Sequence, residues 1–139
     1  DYGWLDTNLF VHPFFENDPQ RKRCEEILEE IREGNAQGWV DIITIHELTY
    51  VLPRVSDQFS RGDDPDREKI FSFLSAILGL DGINSSDQET ILEGLMVWAE
   101  SDIAFADARL QVLARNGDQP VCSVNQGDFE GITNTYRDD

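Results

Sequence analysis

The chain alternates short apolar runs with longer segments of helical periodicity, and this alternation constrains the fold most strongly. The apolar runs at residues 2–5, 39–42, 82–84 and 120–124 are candidate strands. Between them, apolar residues recur at intervals of three and four, which is typical of amphipathic helices. Strands separated by helices usually pair in parallel and are covered on both faces. The pattern therefore predicts an α/β sandwich around a short-stranded central parallel sheet.

Capping residues mark the ends of the predicted helices. Asp41 or Thr44 can cap the second helix, and Asp102 can cap the last one by accepting from a free backbone N–H group. Pro53 falls within the second helix and is expected to end or kink it near Leu52. The helices are predicted over residues 19–33, 43–55, 66–78, 86–99 and 103–115.

With 139 residues, the chain is predicted to form a single domain over residues 1–139. No apolar stretch is long enough to cross a bilayer, and no basic-then-apolar leader pattern opens the sequence. The cysteines Cys24 and Cys122 both lie in apolar surroundings, so we expect two reduced core thiols. These features predict a cytoplasmic protein that makes no membrane contact.

The formal net charge of −17 limits the ways in which the protein can meet a partner. It is the wrong sign for a protein that grips nucleic acid by charge, because phosphate contacts need Lys and Arg. A metal site explains about four of the acidic residues, since clustered carboxylates are neutralised when an ion binds. A surface adapted to a salty cytoplasm or a basic partner protein can explain the rest, and both explanations stay open.

Four acidic residues stand out by their positions. Asp6 follows the first predicted strand and Asp128 follows the last, and in a parallel sheet such positions lie at the same edge. Glu47 and Asp107 instead lie in the first turns of apolar helices. A carboxylate buried without a partner costs several kcal/mol, so we expect both to be bound to a metal or another group. The four residues are therefore predicted to converge.

The segments around these acids resemble the motifs of PIN domains. The opening Leu5-Asp6-Thr7-Asn8 is similar to the "DTN" start of that family, and residues 44–52 are similar to its second acidic helix. Phe105-Ala106-Asp107-Ala108 resembles the third motif, and residues 123–129 resemble the closing strand and turn. Each motif is weak alone, but all four occur in the family's order across the whole chain. The resemblance implies a PIN-like three-layer α/β/α sandwich.

The resemblance also implies roles for individual residues. Asp6, Glu47 and Asp107 would bind Mg²⁺ or Mn²⁺ through their carboxylates. The fourth position is either Asn125, where many members have Asp, or the acid just before Phe, and we select Asp128. Polar side chains near the metal are expected to orient the ligands through hydrogen bonds; these are Asn8, Ser123 and Asn125.

The implied activity is metal-dependent hydrolysis of RNA. A hard cation supplies an activated water for in-line attack on the phosphodiester, which gives 5′-phosphate and 3′-hydroxyl ends. The resemblance is to toxins of the VapC type, which belong to type II toxin–antitoxin systems. It therefore implies a homodimer and a cognate antitoxin protein as partner. The alternatives are a PIN nuclease of RNA processing without an antitoxin, and a catalytically silent PIN-like binding module.

Few basic residues are available to hold an RNA substrate. The densest basic cluster is Arg21-Lys22-Arg23, at the start of the first long helix. Arg109 lies two residues after Asp107. Phosphate contacts are expected to come from these four side chains, because the net charge opposes binding at long range.

Overall fold

The computed structural model describes residues 1–117 and 119–136. In chain order, the regular elements are β1 (Gly3–Trp4), α1 (Thr7–Val11), α2 (Arg21–Arg32), β2 (Gly38–Trp39), α3 (Ile42–Val55), β3 (Ser60–Arg61), β4 (Asp64–Pro65), α4 (Arg67–Leu78), β5 (Ile83–Asn84), α5 (Gln88–Ala99) and α6 (Phe105–Asn116). Short 3-10 segments cover His12–Phe14, Asp57–Phe59 and Gln126–Phe129.

The described chain divides into two compact units, Asp1–Gln88 and Glu89–Asp139. The first contains a parallel sheet with strand order β1-β2-β5, in which Gly3 pairs with Gly38 and Trp4 with Trp39. Each strand is only two residues long, and its neighbouring residues extend the hydrogen bonding. Leu5 N donates to Trp39 O at 2.8 Å. The prediction of an α/β fold with a short-stranded parallel sheet is confirmed.

Helices follow the strands of this sheet after very short connections. Asp6 caps α1 two residues past β1, and Asp41 caps α3 two residues past β2. The Asp41 carboxylate accepts from Ile43 N at 3.1 Å, as its capping role requires. The core of the unit is formed by fully buried apolar side chains, among them Phe10, Ile31, Val40, Ile45, Leu48, Leu52, Ile70 and Leu74.

The second unit is built on the helices α5 and α6 and the 3-10 turn that follows. Gly94 of α5 lies against the ring of Phe105, because glycine leaves room for an aromatic side chain on the opposing helix. Most of the other buried residues are apolar, and Gln111 is a buried polar residue of the same unit; the apolar ones include Ile91, Leu95, Trp98, Ala108, Val112, Val121 and Phe129.

The strand predicted over residues 120–124 is wrong. Val121 forms an isolated parallel bridge with Asn134, and its backbone bonds go to Thr133 and Thr135. Beyond it, Ser123 N donates to the side chain of Asn134 instead of continuing a ladder. Val124 is consequently 73% exposed, although its apolar character suggested burial.

Three smaller predictions also need correction. Cys122 is exposed, and only Cys24 is a buried thiol. The N-cap of α6 is Ala104 rather than Asp102, since the helix begins two residues later than its sequence suggests. Pro53 lies inside α3, which continues to Val55, so of the two predicted effects of this proline, an end or a kink near Leu52, the helix does not end there.

None of the helices in the described ranges combines the length and the apolar character that crossing a bilayer requires.

Gly82 should be the glycine most sensitive to substitution, because it approaches the backbone of two neighbouring segments. A Cβ at this position would lie 2.2 Å from the carbonyl oxygen of Ala36 and 2.6 Å from that of Ile31. Neither carbonyl can move without disturbing the entry to β5. We expect Gly82→Ala to lower the free energy of unfolding by about 1–3 kcal/mol, measured by urea denaturation.

Gly79→Ala is the matched control, since a Cβ there would meet Ser75 O at an ordinary 3.4 Å. It should leave stability nearly unchanged. Equal effects of the two substitutions would show that the close approach at Gly82 does not limit the fold.

Candidate functional site

Asp6 lies after β1 and caps the N-terminus of α1. Its backbone is extended, and its Oδ1 accepts a hydrogen bond of 2.8 Å from Thr7 N at the start of α1. The side chain is exposed. One carboxylate oxygen is therefore fixed by the cap while the group as a whole remains open to a ligand.

Glu47 is joined to the same segment through Thr7. The Thr7 side chain is only 5% exposed, and its hydroxyl donates to Oε2 of Glu47 at 3.0 Å. Glu47 is exposed and lies in α3, which follows the neighbouring strand β2. Thr7 thus binds Asp6 through its backbone N–H and Glu47 through its side chain, and this places the two carboxylates beside each other.

In the second unit, Asp107 and Asp128 form a carboxyl–carboxyl hydrogen bond. Asp107 lies in the first turn of α6 and Asp128 in the 3-10 turn Gln126–Phe129. Partial burial of Asp107 raises its pKa, and the hydrogen bond to Asp128 and the charge of that residue raise the pKa further. The contact and the burial therefore disfavour the ionised form of Asp107.

A chain of hydrogen bonds orients Asp128. Asn125 Nδ2 donates to Oδ2 of Asp128 at 2.8 Å, and Ser123 Oγ accepts from Asn125 N at 3.0 Å. The amide of Gln111, one helical turn after Asp107, donates to the carbonyl oxygen of Asp128. The turn that carries Asp128 is therefore fixed to α6 on the face that bears Asp107.

Sequence reasoning missed two of these contacts. Asn8 was expected to orient the ligands, but among the described residues its side chain has no hydrogen bond, and Thr7 joins Asp6 to Glu47 instead. Gln111 was not singled out, although a polar residue four positions after Asp107 shares its helix face. Gln111 is only 9% exposed, and a buried polar side chain normally has a hydrogen-bond partner.

The acidic residues occur in pairs rather than in larger groups. Within either unit considered by itself, the described residues include no group of three or more His, Cys, Asp or Glu side chains able to hold a metal ion. Each pair supplies hard oxygen donors of the kind that Mg²⁺ and Mn²⁺ prefer.

Two of the four expected basic contacts pair with acids of their own helix. Arg21 pairs with Glu25, and Arg23 with Glu26 and Glu30, so acids one and two turns along α2 lie beside both guanidinium groups, while Lys22 is exposed. Arg109 lies on another face of α6 from Asp107, close to Gly94. Its Nη1 is buried without a hydrogen-bond partner among the described residues.

The family model for the PIN domain matches residues 4–129, which is most of the chain and includes all four acidic residues. The chain belongs to the PIN-domain family. No curated protein matches it in a comparison of sequences. PIN domains are generally nucleases that use divalent metal ions, so family membership indicates a nuclease-type function on a nucleic-acid substrate. It also agrees with the α/β/α fold that the sequence predicted.

The Asp107–Asp128 pair of this PIN domain predicts an unusual pH dependence of stability. Because the pKa of Asp107 is raised in the folded state, the folded protein binds more protons than the unfolded chain above the ordinary aspartate range. The free energy of unfolding should therefore fall as pH rises from that range through the raised pKa. Asp107→Asn removes the titration and supplies an amide N–H that can still donate to Asp128.

In EDTA, the melting temperature of the Asp107→Asn variant should equal or exceed that of the wild type, and the difference should grow as pH rises from the ordinary aspartate range through the raised pKa of Asp107. Asp102→Asn, an exposed substitution in the same unit, should follow the wild type. A variant that melts well below the wild type at neutral pH would show that Asp107 is needed for folding.

Proposed function

We propose that this PIN domain is a Mg²⁺- or Mn²⁺-dependent endoribonuclease whose metal ligands are Asp6, Glu47, Asp107 and Asp128. The observation that carries the proposal is the direct contact of Asp107 with Asp128, one carboxyl group bearing a raised pKa. Ionised acids held this close repel each other, which lowers the stability of the fold. Carboxylates placed close together are typical of sites that bind hard cations, which neutralise this repulsion.

The chemistry of the donor set fits a hard divalent cation. Carboxylate oxygens are the preferred ligands of Mg²⁺, which also keeps several waters. When bound, the cation supplies an activated water and neutralises charge on the scissile phosphodiester. A cation also relieves the repulsion between acids, so its binding is expected to favour the ionised form of Asp107.

The protein's own residues fix the direction of each carboxylate. Thr7 holds one oxygen of Asp6 and one of Glu47, which leaves the second oxygen of each available. Asn125 holds Oδ2 of Asp128 in the same way, and this supports Asp128 as the acidic ligand with Asn125 as its polar contact. Carboxylates that are already held by hydrogen bonds lose little conformational entropy when the ion binds.

A toxin of a toxin–antitoxin pair, cytoplasmic and homodimeric, is the biological role that we propose for this nuclease. Its charge of −17 and the exposed Asp6 and Glu47 would attract a basic segment of an antitoxin protein. A nuclease of RNA processing would act without such a partner. A small upstream gene encoding a DNA-binding protein, whose product abolishes cleavage when it is added, would favour the toxin.

The proposal predicts the loss of RNA cleavage in isosteric variants that remain folded. Asp6→Asn, Glu47→Gln and Asp107→Asn each remove a charge that stabilises the bound ion, so the initial rate should fall by roughly 100-fold or more. The measurement is gel analysis of mixed cellular RNA with Mg²⁺, with Mn²⁺ and with EDTA. The products should carry 5′-phosphate ends.

Asp102→Asn serves as the control, because this exposed residue has the same charge but lies outside the proposed ligands. Circular dichroism should show that all four variants are folded. Cleavage that persists in EDTA, or in all three ligand variants, would refute the metal-dependent nuclease and leave the silent binding module as the better explanation.

A further inference from the structure

We propose that Tyr50 and Arg54 of α3 form a platform for single-stranded RNA, with a base stacked on the Tyr50 ring and a phosphate bound by the Arg54 guanidinium. The substrate class rests on the proposed function, because the platform places RNA beside Glu47. The two residues were not among the contacts expected from the sequence. Their geometry, exposure and charge each support the assignment.

The geometry is that of a pre-formed cation–π pair. The guanidinium carbon of Arg54 lies 3.5 Å from the centroid of the Tyr50 ring. Arg54 Nη1 also donates to the carbonyl oxygen of Tyr50 at 2.7 Å. The guanidinium has five N–H donors, so one internal hydrogen bond leaves several for a phosphate. The long arginine side chain is therefore already ordered before a ligand arrives.

The ring of Tyr50 is open to a ligand. Arg54 covers one of its faces, yet 59% of the residue remains exposed. Bases stack on exposed aromatic side chains without regard to sequence, because every base has a π face. The face of the Tyr50 ring that Arg54 does not cover thus offers a stacking surface, and the guanidinium on the other face offers a positive charge.

Tyr50 and Arg54 lie on the same helix as Glu47, a proposed metal ligand. Tyr50 and Arg54 are three and seven residues after Glu47, so all three share one exposed face of α3. Along an ideal helix, these separations correspond to about 4.5 Å and about 10.5 Å of axial rise. A strand of RNA lying along α3 can therefore contact the platform while its next phosphodiester approaches Glu47.

Charge also distinguishes Arg54 from other arginines of the chain. Arg21, Arg23, Arg32 and Arg61 are paired with carboxylates. In the described ranges, no carboxylate lies within ion-pair distance of Arg54, and its contacts are with Tyr50. In a protein of net charge −17, a guanidinium that no acid neutralises is well suited to hold a phosphate.

The test measures both catalysis and binding with Tyr50→Ala, Tyr50→Phe and Arg54→Ala. Arg32→Ala is the matched control, since it removes an exposed arginine that is already paired with Glu29. Cleavage of a labelled single-stranded oligoribonucleotide in Mg²⁺ gives kcat and KM. Fluorescence anisotropy of the same probe gives Kd for each variant, in an Asp107→Asn background that prevents cleavage.

We expect Tyr50→Ala and Arg54→Ala to raise KM and Kd by about five- to tenfold, with kcat changed by less than about twofold. Tyr50→Phe should recover most of the lost affinity, because it restores the ring. The salt dependence of Kd distinguishes phosphate binding by Arg54 from base stacking on Tyr50. Arg54→Ala should reduce the slope of log Kd against log salt by about 0.7, since one phosphate contact is lost, while Tyr50→Ala should leave the slope unchanged.

The outcomes distinguish this platform from the nuclease itself. If the wild type cleaves RNA and neither alanine variant alters KM or Kd beyond the Arg32→Ala control, the platform is refuted and the nuclease stands. If the wild type does not cleave but binds the probe, and both variants weaken binding, the platform stands and the nuclease fails. If the wild type does not bind the probe, the platform is refuted as well.

Discussion

The parallel pairing of β1 with β2 determines which acidic residues meet in residues 1–88. Its register sets Trp4 beside Trp39, so the two strands end side by side. Each strand is followed within two residues by a helix with an acidic N-cap, Asp6 or Asp41. Because both connections are so short, α1 and α3 begin at the same edge of the sheet. The hydrogen bond from Thr7 to Glu47 then joins the two helices at the place where the carboxylates lie.

Holding acids close together costs stability, and the structure limits that cost in two ways. Asp6 and Glu47 remain in solvent, where their charges are hydrated, and each receives a hydrogen bond from Thr7. Asp107 and Asp128 are half-buried and hydrogen-bonded to each other, and the burial and this contact raise the pKa of Asp107. Hydration therefore lowers the cost of repulsion in the exposed pair, and the raised pKa of Asp107 lowers it in the half-buried pair.

Much of this arrangement could be predicted from sequence. The end of the first strand before Asp6, the Asp41 cap and the helices that carry Glu47 and Asp107 were predicted correctly, because these features depend on local periodicity. The pairing of Arg21 and Arg23 with glutamates was also predictable in principle, since the acids lie three and four residues further along α2. Helical spacing would likewise have found the Tyr50–Arg54 pair.

Other features could not be predicted because they depend on contacts between distant residues. Only the packing of α1 against α3 shows that Thr7, and not Asn8, donates to Glu47. The run at residues 120–124 has the composition of a buried strand, yet Asn134 takes up its hydrogen bonds after Val121. Such tertiary partners override local propensity, and a single sequence contains little sign of them.

The most direct measurement is the affinity of the RNA-free protein for Mn²⁺, followed through the electron paramagnetic resonance signal of the free ion. If the four carboxylates are the ligands, the wild type should bind Mn²⁺ saturably. Single amide substitutions at Asp6, Glu47, Asp107 and Asp128 should each weaken that binding by about tenfold or more, whereas Asp102→Asn should not. An absence of saturable binding by the wild type, or weakened binding in only one of the two pairs, would contradict the proposed metal site.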